Sequence, residues 1–320
     1  MIIRKIPRTD DLLRSFVEKH ALFFHSSSWL DAYDDRLTQC AILNNNQEVI
    51  GCFLYFQFRK AGFRFIITPP WTPDIALFYV NPAGSVVGRN SFVKDLMKAV
   101  SSFLSAQGAS HVSLNLPGSV NDSQPFFWEG FVPRVRHTYL LDLRSTEDQL
   151  KAGLSSEKRK SLARAEKDAL EVRVANDHTL LLDLVLRSLS RNNKNRNTDI
   201  LAKILKRQVN GPNAIAFAAW QEQRPIAATF CLTEGRRSVY VFGGFDGDNR
   251  HHGAGVSCMW QSILEAKRRG LDIFDFEGSM DPKIERYFRE FGGTLATYQC
   301  VEKTTPLMKL LFRLKGHKPL

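Results

Sequence analysis

The sequence is poor in the features that mark disulfide-rich or metal-binding proteins. Its five cysteines are odd in number, scattered along the chain and without a C-x-x-C pair. This usage favours reduced thiols in a protein core over disulfides or a zinc site. The eight histidines form no H-x-x-x-H pattern. We therefore expect no bound metal.

Long apolar runs are also missing. No stretch approaches the roughly 18 residues that cross a membrane, and the first residues, Met-Ile-Ile-Arg-Lys-Ile-Pro-Arg, are too charged for a signal peptide. The composition, 43% hydrophobic and 24% charged, is typical of a soluble globular protein. We therefore expect a cytoplasmic protein whose 320 residues form one large or two ordinary domains.

Negative charge is in deficit. The chain has 44 Lys and Arg against 33 Asp and Glu, a net charge of +11. Such a surface attracts polyanions, and tRNA, an anionic membrane face and a diphosphate-bearing substrate all fit this description. The charge does not choose among them, and a merely basic surface is a further alternative.

A strand, loop, helix and strand are predicted over residues 238–277. The first strand is β-branched and aromatic and ends at Gly243-Gly244, and the loop closes on Arg250-His-His-Gly253-Ala254-Gly255. Gly270 follows three cations, which is typical of a helix C-terminus. Glycines before a helix let a ligand approach the backbone, and the first helical N–H groups can bind phosphate. An ordinary flexible loop is the alternative.

The same order of elements occurs twice. A strand meander, a helix and a further strand are predicted over residues 39–116 and again over residues 213–277. Such repetition indicates an internal duplication. We place the boundary near Arg144-Ser145, which gives domains of residues 1–145 and 146–320. Only the second has the glycine loop, so we expect the first to recognise the acceptor, with a long Pro- and Gly-rich loop over residues 68–88 in place of the glycine loop.

Residues 250–255 resemble the acyl-CoA loop of the GNAT acyltransferases, Q/R-x-x-G-x-G/A. Residues 274–279, Phe-Asp-Phe-Glu-Gly-Ser, and 284–293, Ile-Glu-Arg-Tyr-Phe-Arg-Glu-Phe-Gly-Gly, resemble the C-terminal half of FemAB-like transferases. Two further stretches, residues 26–33 and 139–167, also resemble the FemAB-like transferases. The FemAB-like proteins are tandem GNAT proteins that include the peptidoglycan-bridge aminoacyltransferases. The resemblance covers nearly the whole chain and implies an α/β fold with mixed sheets, in two tandem GNAT-like domains.

The resemblance implies an N-acyltransferase that moves an acyl group from acyl-CoA to an amine of a cell-envelope or polysaccharide precursor. Two alternatives stay open: an aminoacyl-tRNA-dependent transferase acting on a peptidoglycan precursor, and a non-catalytic module that binds a polyanion or glycan. We expect no DNA partner. The donor-binding candidates are Gly243, Gly244, Arg250, Gly253, Ala254 and Gly255. The candidates for contact with an anionic, lipid-linked acceptor are Trp29, Tyr33, Trp71, Lys158, Arg159 and Arg164.

GNAT transfer needs a positioned amine, a proton acceptor and a proton donor. Strand alternation predicts that Asp275 and Glu277 share the face toward the cleft, whereas Phe274 and Phe276 point into a core. Either carboxylate is then a candidate base, with two solvated strand-end carboxylates as the alternative. The candidate proton donors, for which packing is the alternative role, are Tyr240 and Tyr287.

One position departs from the peptidoglycan-bridge pattern F-K-x-x-F-G. The chain has Tyr287-Phe288-Arg289-Glu290-Phe291-Gly292, with phenylalanine where lysine is expected. Unless Arg289 substitutes for that lysine, the difference favours the broader FemAB-like acyltransferase group over tRNA-dependent transfer.

Two basic helices are predicted outside the glycine loop. Lys158, Arg159 and Arg164 lie on a helix whose cations we expect to face outward, as an acceptor clamp or as a solvated face. Residues 306–318 place leucines at helical spacing beside lysine and arginine. This second helix can lie on the inner face of an anionic membrane, or pack back on the fold.

Overall fold

The computed structural model describes residues 1–8, 10–191 and 197–314. The chain forms two compact units, each interleaved along the sequence. Unit 1 consists of Met1–His20, Asp34–Arg136 and Thr297–Leu320, and unit 2 of Ala21–Tyr33 and His137–Ala296.

The strands are β1 (Ile2–Ile6), β2 (Leu37–Leu43), β3 (Val49–Lys60), β4 (Phe63–Ile67), β5 (Phe78–Tyr79), β6 (His111–Asn115), β7 (Val132–Asp142), β8 (Glu171–Val174), β9 (Ala214–Gln221), β10 (Arg224–Glu234), β11 (Arg237–Phe245), β12 (Ile273–Asp275) and β13 (Thr294–Thr304). The helices are α1 (Asp11–Lys19), α2 (Ser27–Leu30), α3 (Val86–Ser105), α4 (Gln124–Trp128), α5 (Glu147–Gly153), α6 (Ser156–Lys167), α7 (His178–Arg191), α8 (Thr198–Gln208), α9 (Ala254–Arg268), α10 (Pro282–Arg289) and α11 (Pro306–Leu314). A 3₁₀ helix spans Phe23–His25.

Unit 1 is a sheet covered by α3. Its strand order is β1-β2-β3-β4-β6-β13, with β5 on β3. Only β4 and β6 run parallel among these pairs, with Ile66 opposite Val112. The apolar face of α3 lies in the core, with Leu96, Met97, Val100 and Leu104 fully buried. Helix α3 begins at Val86 because the Ser85 hydroxyl caps it, accepting the Gly88 N–H at 3.0 Å.

Unit 2 repeats this plan. Its strand order is β7-β12-β11-β10-β9-β8, and β11 and β12 form its parallel pair, with Ser238 opposite Phe274. Helix α9 contributes much of the core, where Cys258, Ile263 and Ala266 are fully buried. The α/β fold class with mixed sheets is therefore confirmed.

The two repeats exchange their final strands. The order β2-β3-β4-α3-β6-α4-β7 recurs as β9-β10-β11-α9-β12-α10-β13. Strand β7, from the first repeat, pairs with β12 in unit 2, and β13, from the second, pairs with β6 in unit 1. The compact units interleave along the chain, in part because each takes up a strand of the other repeat. The predicted domain boundary near residue 145 stays a prediction.

Helix α11 continues from β13 in unit 1. Its inner side carries buried Met308, and Phe312 meets the ring of His111 at a centroid distance of 5.3 Å. Three leucines stay exposed: Leu307 at 57%, Leu310 at 53% and Leu314 at 75%. Of the predicted basic residues, Lys315 and Lys318 lie outside the described residues. No helix in the described part of the chain is long and apolar enough to cross a membrane.

Gly278 is expected to be the glycine of unit 2 that tolerates substitution least. Its φ is +61°, and an added Cβ would lie 1.9 Å from the His137 carbonyl oxygen. Gly278→Ala should therefore destabilise the protein by at least about 3 kcal/mol, from backbone strain and overlap together. The measurement is the urea midpoint of unfolding.

Gly270→Ala is the matched control. Gly270 has φ +74° but nothing within 4 Å of an added Cβ, so only the left-handed strain of about 1 kcal/mol applies. Equal losses in the two variants would show that the contact with His137 is not what requires glycine.

Candidate active site

The N-terminus of α9 presents unpaired backbone amides. Gly253 is the N-cap, and its carbonyl accepts the Ser257 N–H at 2.8 Å. Within the described residues, the N–H groups of Gly255 and Val256 have no hydrogen-bond partner. Such amides, at the positive end of the helix dipole, can hold an anion or a developing oxyanion.

His251 fixes the loop before α9. Its Nε2 lies 3.1 Å from Asp168 Oδ2, and its Nδ1 accepts the Gly253 N–H at 3.1 Å. Because Nδ1 is the acceptor, the proton is on Nε2 and is donated to Asp168. Asp168 caps the C-terminus of α6, and hydrogen bonds from Arg164 and then His251 lower its pKa. No sequence pattern indicated this role, because Asp168 lies 83 residues from His251 along the chain.

Two of the predicted donor glycines are required by packing. An added Cβ at Gly253 would lie 2.5 Å from the Ser161 carbonyl oxygen of α6. One at Gly244 would lie 2.4 Å from the Leu184 carbonyl carbon of α7. Both glycines therefore let a helix approach the backbone closely, and donor contact at these two positions stays a prediction.

The other two glycines adjoin tyrosine hydroxyls. An added Cβ at Gly255 would lie 3.6 Å from the Tyr287 hydroxyl, and one at Gly243 would lie 2.4 Å from the Tyr240 hydroxyl. The structure thus brings both candidate proton donors to the predicted donor loop and the strand before it. Neither hydroxyl hydrogen-bonds to any described residue.

Both tyrosines are held in the protonated form. Burial raises the pKa of Tyr287 above its usual value. Burial also raises the pKa of Tyr240 well above its usual value, and the charges of Tyr287 and Glu277 add to this shift. A phenol that keeps its proton at neutral pH and lacks a fixed acceptor is suited to donate that proton to a bound substrate.

Asp275 is buried and fully engaged. Its carboxylate accepts the Thr138 hydroxyl at 2.7 Å and the Glu277 N–H at 2.8 Å, and Arg237 Nη1 lies 3.3 Å away. These partners make it a carboxylate that shapes the end of β12. Its role as a base stays a prediction.

Glu277 lies beyond the strand. The predicted strand to Glu277 is wrong past Asp275, where β12 ends, and Glu277 has φ +58°. The expected alternation therefore does not extend to it, although Phe274 and Phe276 are fully buried as predicted. Glu277 is half-buried, and its charge acts on Tyr240. Its role as a proton acceptor stays a prediction.

The three cations predicted on α6 all have protein partners. Lys158 is buried rather than outward-facing, with its Nζ 3.4 Å from Glu290 Oε2 and 3.8 Å from the ring centroid of Tyr287. Burial lowers the pKa of Lys158, and Glu290 opposes that shift. Arg159 donates to the carbonyl oxygens of Ala152 and Leu154, and Arg164 pairs with Asp168. Arg159 and Arg164 remain exposed.

The predicted aromatic contacts of the acceptor fall in different places. Trp29 and Tyr33 are buried in unit 2, and the Trp29 ring meets Phe24 edge-on at 5.1 Å. These two rings serve the core. Trp71 is half-buried in unit 1 with φ +66°, and its contact with an acceptor stays a prediction. Arg250 is exposed, with its guanidinium 5.4 Å from the centroid of the Phe245 ring.

No cluster of His, Cys, Asp or Glu in the described residues has the arrangement of a metal site. The five cysteines are buried thiols outside any disulfide, and burial raises the pKa of the Cys231 thiol to about 12. Unit 1 carries a surface cavity of about 590 Å³, and its lining includes Arg36, Arg59 and Arg64.

Comparisons with known proteins identify a related domain and similar folds. Residues 156–289 match the family model described as acetyltransferase (GNAT) domain. No curated protein matches the sequence. The structure of FemX superposes with a TM-score of 0.64 at 13% identity, covering 98% of this chain and 99% of that chain.

Two further structures have the same architecture. A tandem GNAT protein from the clavulanic acid biosynthesis pathway gives a TM-score of 0.54 at 12% identity, covering 94% of this chain and 97% of that chain. L-PGS from Bacillus licheniformis gives 0.54 at 10% identity, covering 97% and 98%. Residues 156–289 therefore have the character of a GNAT-type acyltransferase domain. The chain as a whole has a fold similar to those of FemX and the tandem GNAT protein.

Glu290 should make stability depend on pH in the acid range. Burial raises its pKa, but the hydrogen bond from Arg286 and the charge of Lys158 outweigh burial, so the pKa is lowered. A lowered carboxyl pKa contributes stability that is present above the unfolded value of about 4.3 and is lost as pH falls through the folded value. Glu290→Gln should reduce stability at pH 7 by about 1–3 kcal/mol and flatten the loss below pH 5.

Glu157→Gln is the control for this prediction. Glu157 is 66% exposed and also pairs with Arg286, at 3.2 Å, so its removal should cost less than about 1 kcal/mol. Urea unfolding of the three proteins across pH 3–7 measures both effects. An unchanged acid slope in Glu290→Gln would contradict the assignment.

Proposed function

We propose that the protein transfers an acyl group from acyl-CoA to a primary amine of a cell-envelope or polysaccharide precursor. One observation carries the proposal. The N–H groups of Gly255 and Val256 are unpaired among the described residues, and an added Cβ at Gly255 would lie 3.6 Å from the Tyr287 hydroxyl, which has no hydrogen-bond partner there either. Transfer from an acyl thioester needs amides that can hold a developing oxyanion and, close by, a phenol that can protonate the departing sulfur.

Each group then has a task. The amides of α9 hold the carbonyl oxygen of the thioester as it becomes negative, and exposed Arg250 supplies positive charge for the donor's phosphates. Glu277 accepts a proton from the incoming amine, and Tyr287 donates one to the departing sulfur. Tyr240 supports the same site from β11. Positioning and preorganised dipoles supply most of the rate in such a transfer.

The donor is acyl-CoA rather than aminoacyl-tRNA. At the position where the peptidoglycan-bridge pattern has lysine, Phe288 is 4% exposed and packs on Tyr240 at a ring-centroid distance of 5.5 Å. Its neighbour Arg289 pairs with Glu285 at 3.2 Å, so it does not replace that lysine with an unpaired cation. Both observations favour a donor that is recognised without the family's lysine.

The acceptor is an anionic precursor that unit 1 recognises. The surface cavity of unit 1 is lined by Asp34 and Asp35 as well as by Arg36, Arg59 and Arg64. Arg36 pairs with Asp34 at 2.7 Å and Arg64 donates to Gln57 at 2.6 Å, so Arg59 is the guanidinium group that we expect to meet a phosphate or carboxylate. Its volume of about 590 Å³ is that of a small-molecule site. We place the protein in the cytoplasm, where acyl-CoA is made, with α11 in contact with the inner face of the membrane.

Calorimetry with acetyl-CoA tests the donor site. The unmodified protein should bind with measurable heat, whereas Gly255→Leu should weaken binding at least tenfold because its side chain fills the space between the α9 amides and Tyr287. Gly118→Leu is the control, since Gly118 has no atom within 4 Å of an added Cβ, and should bind normally.

Other outcomes point to the alternatives. If no acyl-CoA gives heat and charged tRNA binds in a salt-sensitive way, the donor is aminoacyl-tRNA and not acyl-CoA. If the protein binds anionic glycans and keeps full cellular activity after Glu277→Gln and Tyr287→Phe, it is a non-catalytic binding module.

Sedimentation with lipid vesicles tests the membrane contact. The protein should bind vesicles that contain phosphatidylglycerol and not vesicles of phosphatidylcholine, because α11 pairs exposed leucines with Lys309 and Arg313. Leu310→Asp should abolish binding. Leu12→Asp, at a 63% exposed leucine on α1, is the control. Equal vesicle binding by both variants would show that α11 does not form the membrane contact.

A further inference from the structure

Lys158 is a buried cation in an aromatic setting. It is 6% exposed. Its ammonium lies 3.8 Å from the ring centroid of Tyr287 and 5.2 Å from that of Phe291. Removing an ammonium group from water is costly, and an apolar residue of similar volume is often at least as stabilising in such a place. Stability alone therefore gives no reason for a lysine here.

The ion pair with Glu290 does not supply that reason either. Glu290 already accepts the Arg286 Nε–H at 3.0 Å, a shorter contact than the 3.4 Å from Lys158 Nζ. The carboxylate would therefore keep a cationic partner without Lys158. The group that has no other cation among its described contacts is the ring of Tyr287.

We propose that Lys158 is a positioning residue for proton transfer from Tyr287: its ammonium holds the phenol ring beside Gly255 and stabilises the phenolate left behind. This rests on the proposed acyl transfer. A cation over an aromatic face attracts the ring, and the attraction grows when the ring's oxygen becomes negative. Lys158 thus interacts more strongly with the state that follows proton transfer than with the resting state.

The chemical step balances as follows. The amine nitrogen bonds to the thioester carbonyl carbon, and the carbon–sulfur bond breaks with its electron pair going to sulfur. Glu277 takes the proton from the nitrogen, and the sulfur takes the phenol proton of Tyr287. Water then returns a proton to Tyr287, and Glu277 releases its own. The products are an amide and a free thiol.

Several other ionisable groups act on this pair. Glu157 and Arg286 influence Lys158 together with Glu290. Cys258 of α9 acts on Tyr287. Glu277 and Tyr287 act on Tyr240, which lies on β11. Because Lys158 is the cation closest to the Tyr287 ring, changing it should affect the phenol without removing these other groups.

The first test compares Lys158→Met with Lys160→Met. Methionine keeps most of the lysine volume without its charge, and Lys160 is exposed on the opposite side of α6. In the acetyl-CoA-dependent reaction, Lys158→Met should lower kcat tenfold to a hundredfold with little change in the KM for acetyl-CoA. Lys158→Arg should recover part of the rate. A kcat equal to that of Lys160→Met would overturn the proposal.

A second readout needs no activity. Difluorotyrosine placed at position 287 has a more acidic phenol, whose ionisation is followed by absorbance. Lys158→Met should shift the midpoint of this ionisation to higher pH by about one pH unit, because the nearby positive charge is lost. Lys160→Met should leave the midpoint unchanged. An identical ionisation in both variants would overturn the proposal. Acetyl-CoA calorimetry on the same proteins distinguishes failure of the proposed function from failure of the proposed role of Lys158. If the proposed function is wrong, acetyl-CoA does not bind. If only the role of Lys158 is wrong, acetyl-CoA binds normally and the ionisation of the phenol is the same in both variants.

Discussion

The close packing of α6 against the start of α9 is the contact on which the candidate site depends. Gly253 lacks a side chain, and an added Cβ would lie 2.5 Å from the Ser161 carbonyl oxygen. The same helix carries Lys158 under Tyr287 and ends at Asp168, which receives the His251 hydrogen bond. One helix therefore sets the loop, the α9 amides and the phenol in fixed relation, so their geometry exists before any ligand binds.

Local signals were enough to predict most of the fold. Strands with β-branched and aromatic residues, Gly270 after its cations and the repeated order of elements all depend on neighbours along the chain. The face of Asp275 and Glu277 was not predictable in this way. Asp275 is held by Thr138, which is 137 residues away in sequence, and the chain turns immediately afterwards. No pattern within residues 271–277 carries that information.

The character of Lys158 was hidden for the same reason. On α6 it is one cation in a run of cations, and such runs are usually solvated. Lys158 is buried by α10 and the residues that follow it, far along the chain. There Tyr287, Glu290 and Phe291 all contact the lysine ammonium.

The glycines of the loop were identified from the sequence, but their separate roles were not. The structure shows that Gly253 allows α6 to approach closely, whereas Gly255 adjoins a tyrosine hydroxyl.

The exchange of β7 and β13 has a consequence for how the protein is made. On the ribosome, the first repeat emerges without the strand that pairs with β6, since β13 is the final strand of the second repeat. The sheet of unit 1 is incomplete until the second repeat has been translated, so the first repeat cannot complete its fold by itself during translation. An exposed β6 edge during that interval would invite mispairing, so cells that overproduce this chain should need chaperones more than its size suggests.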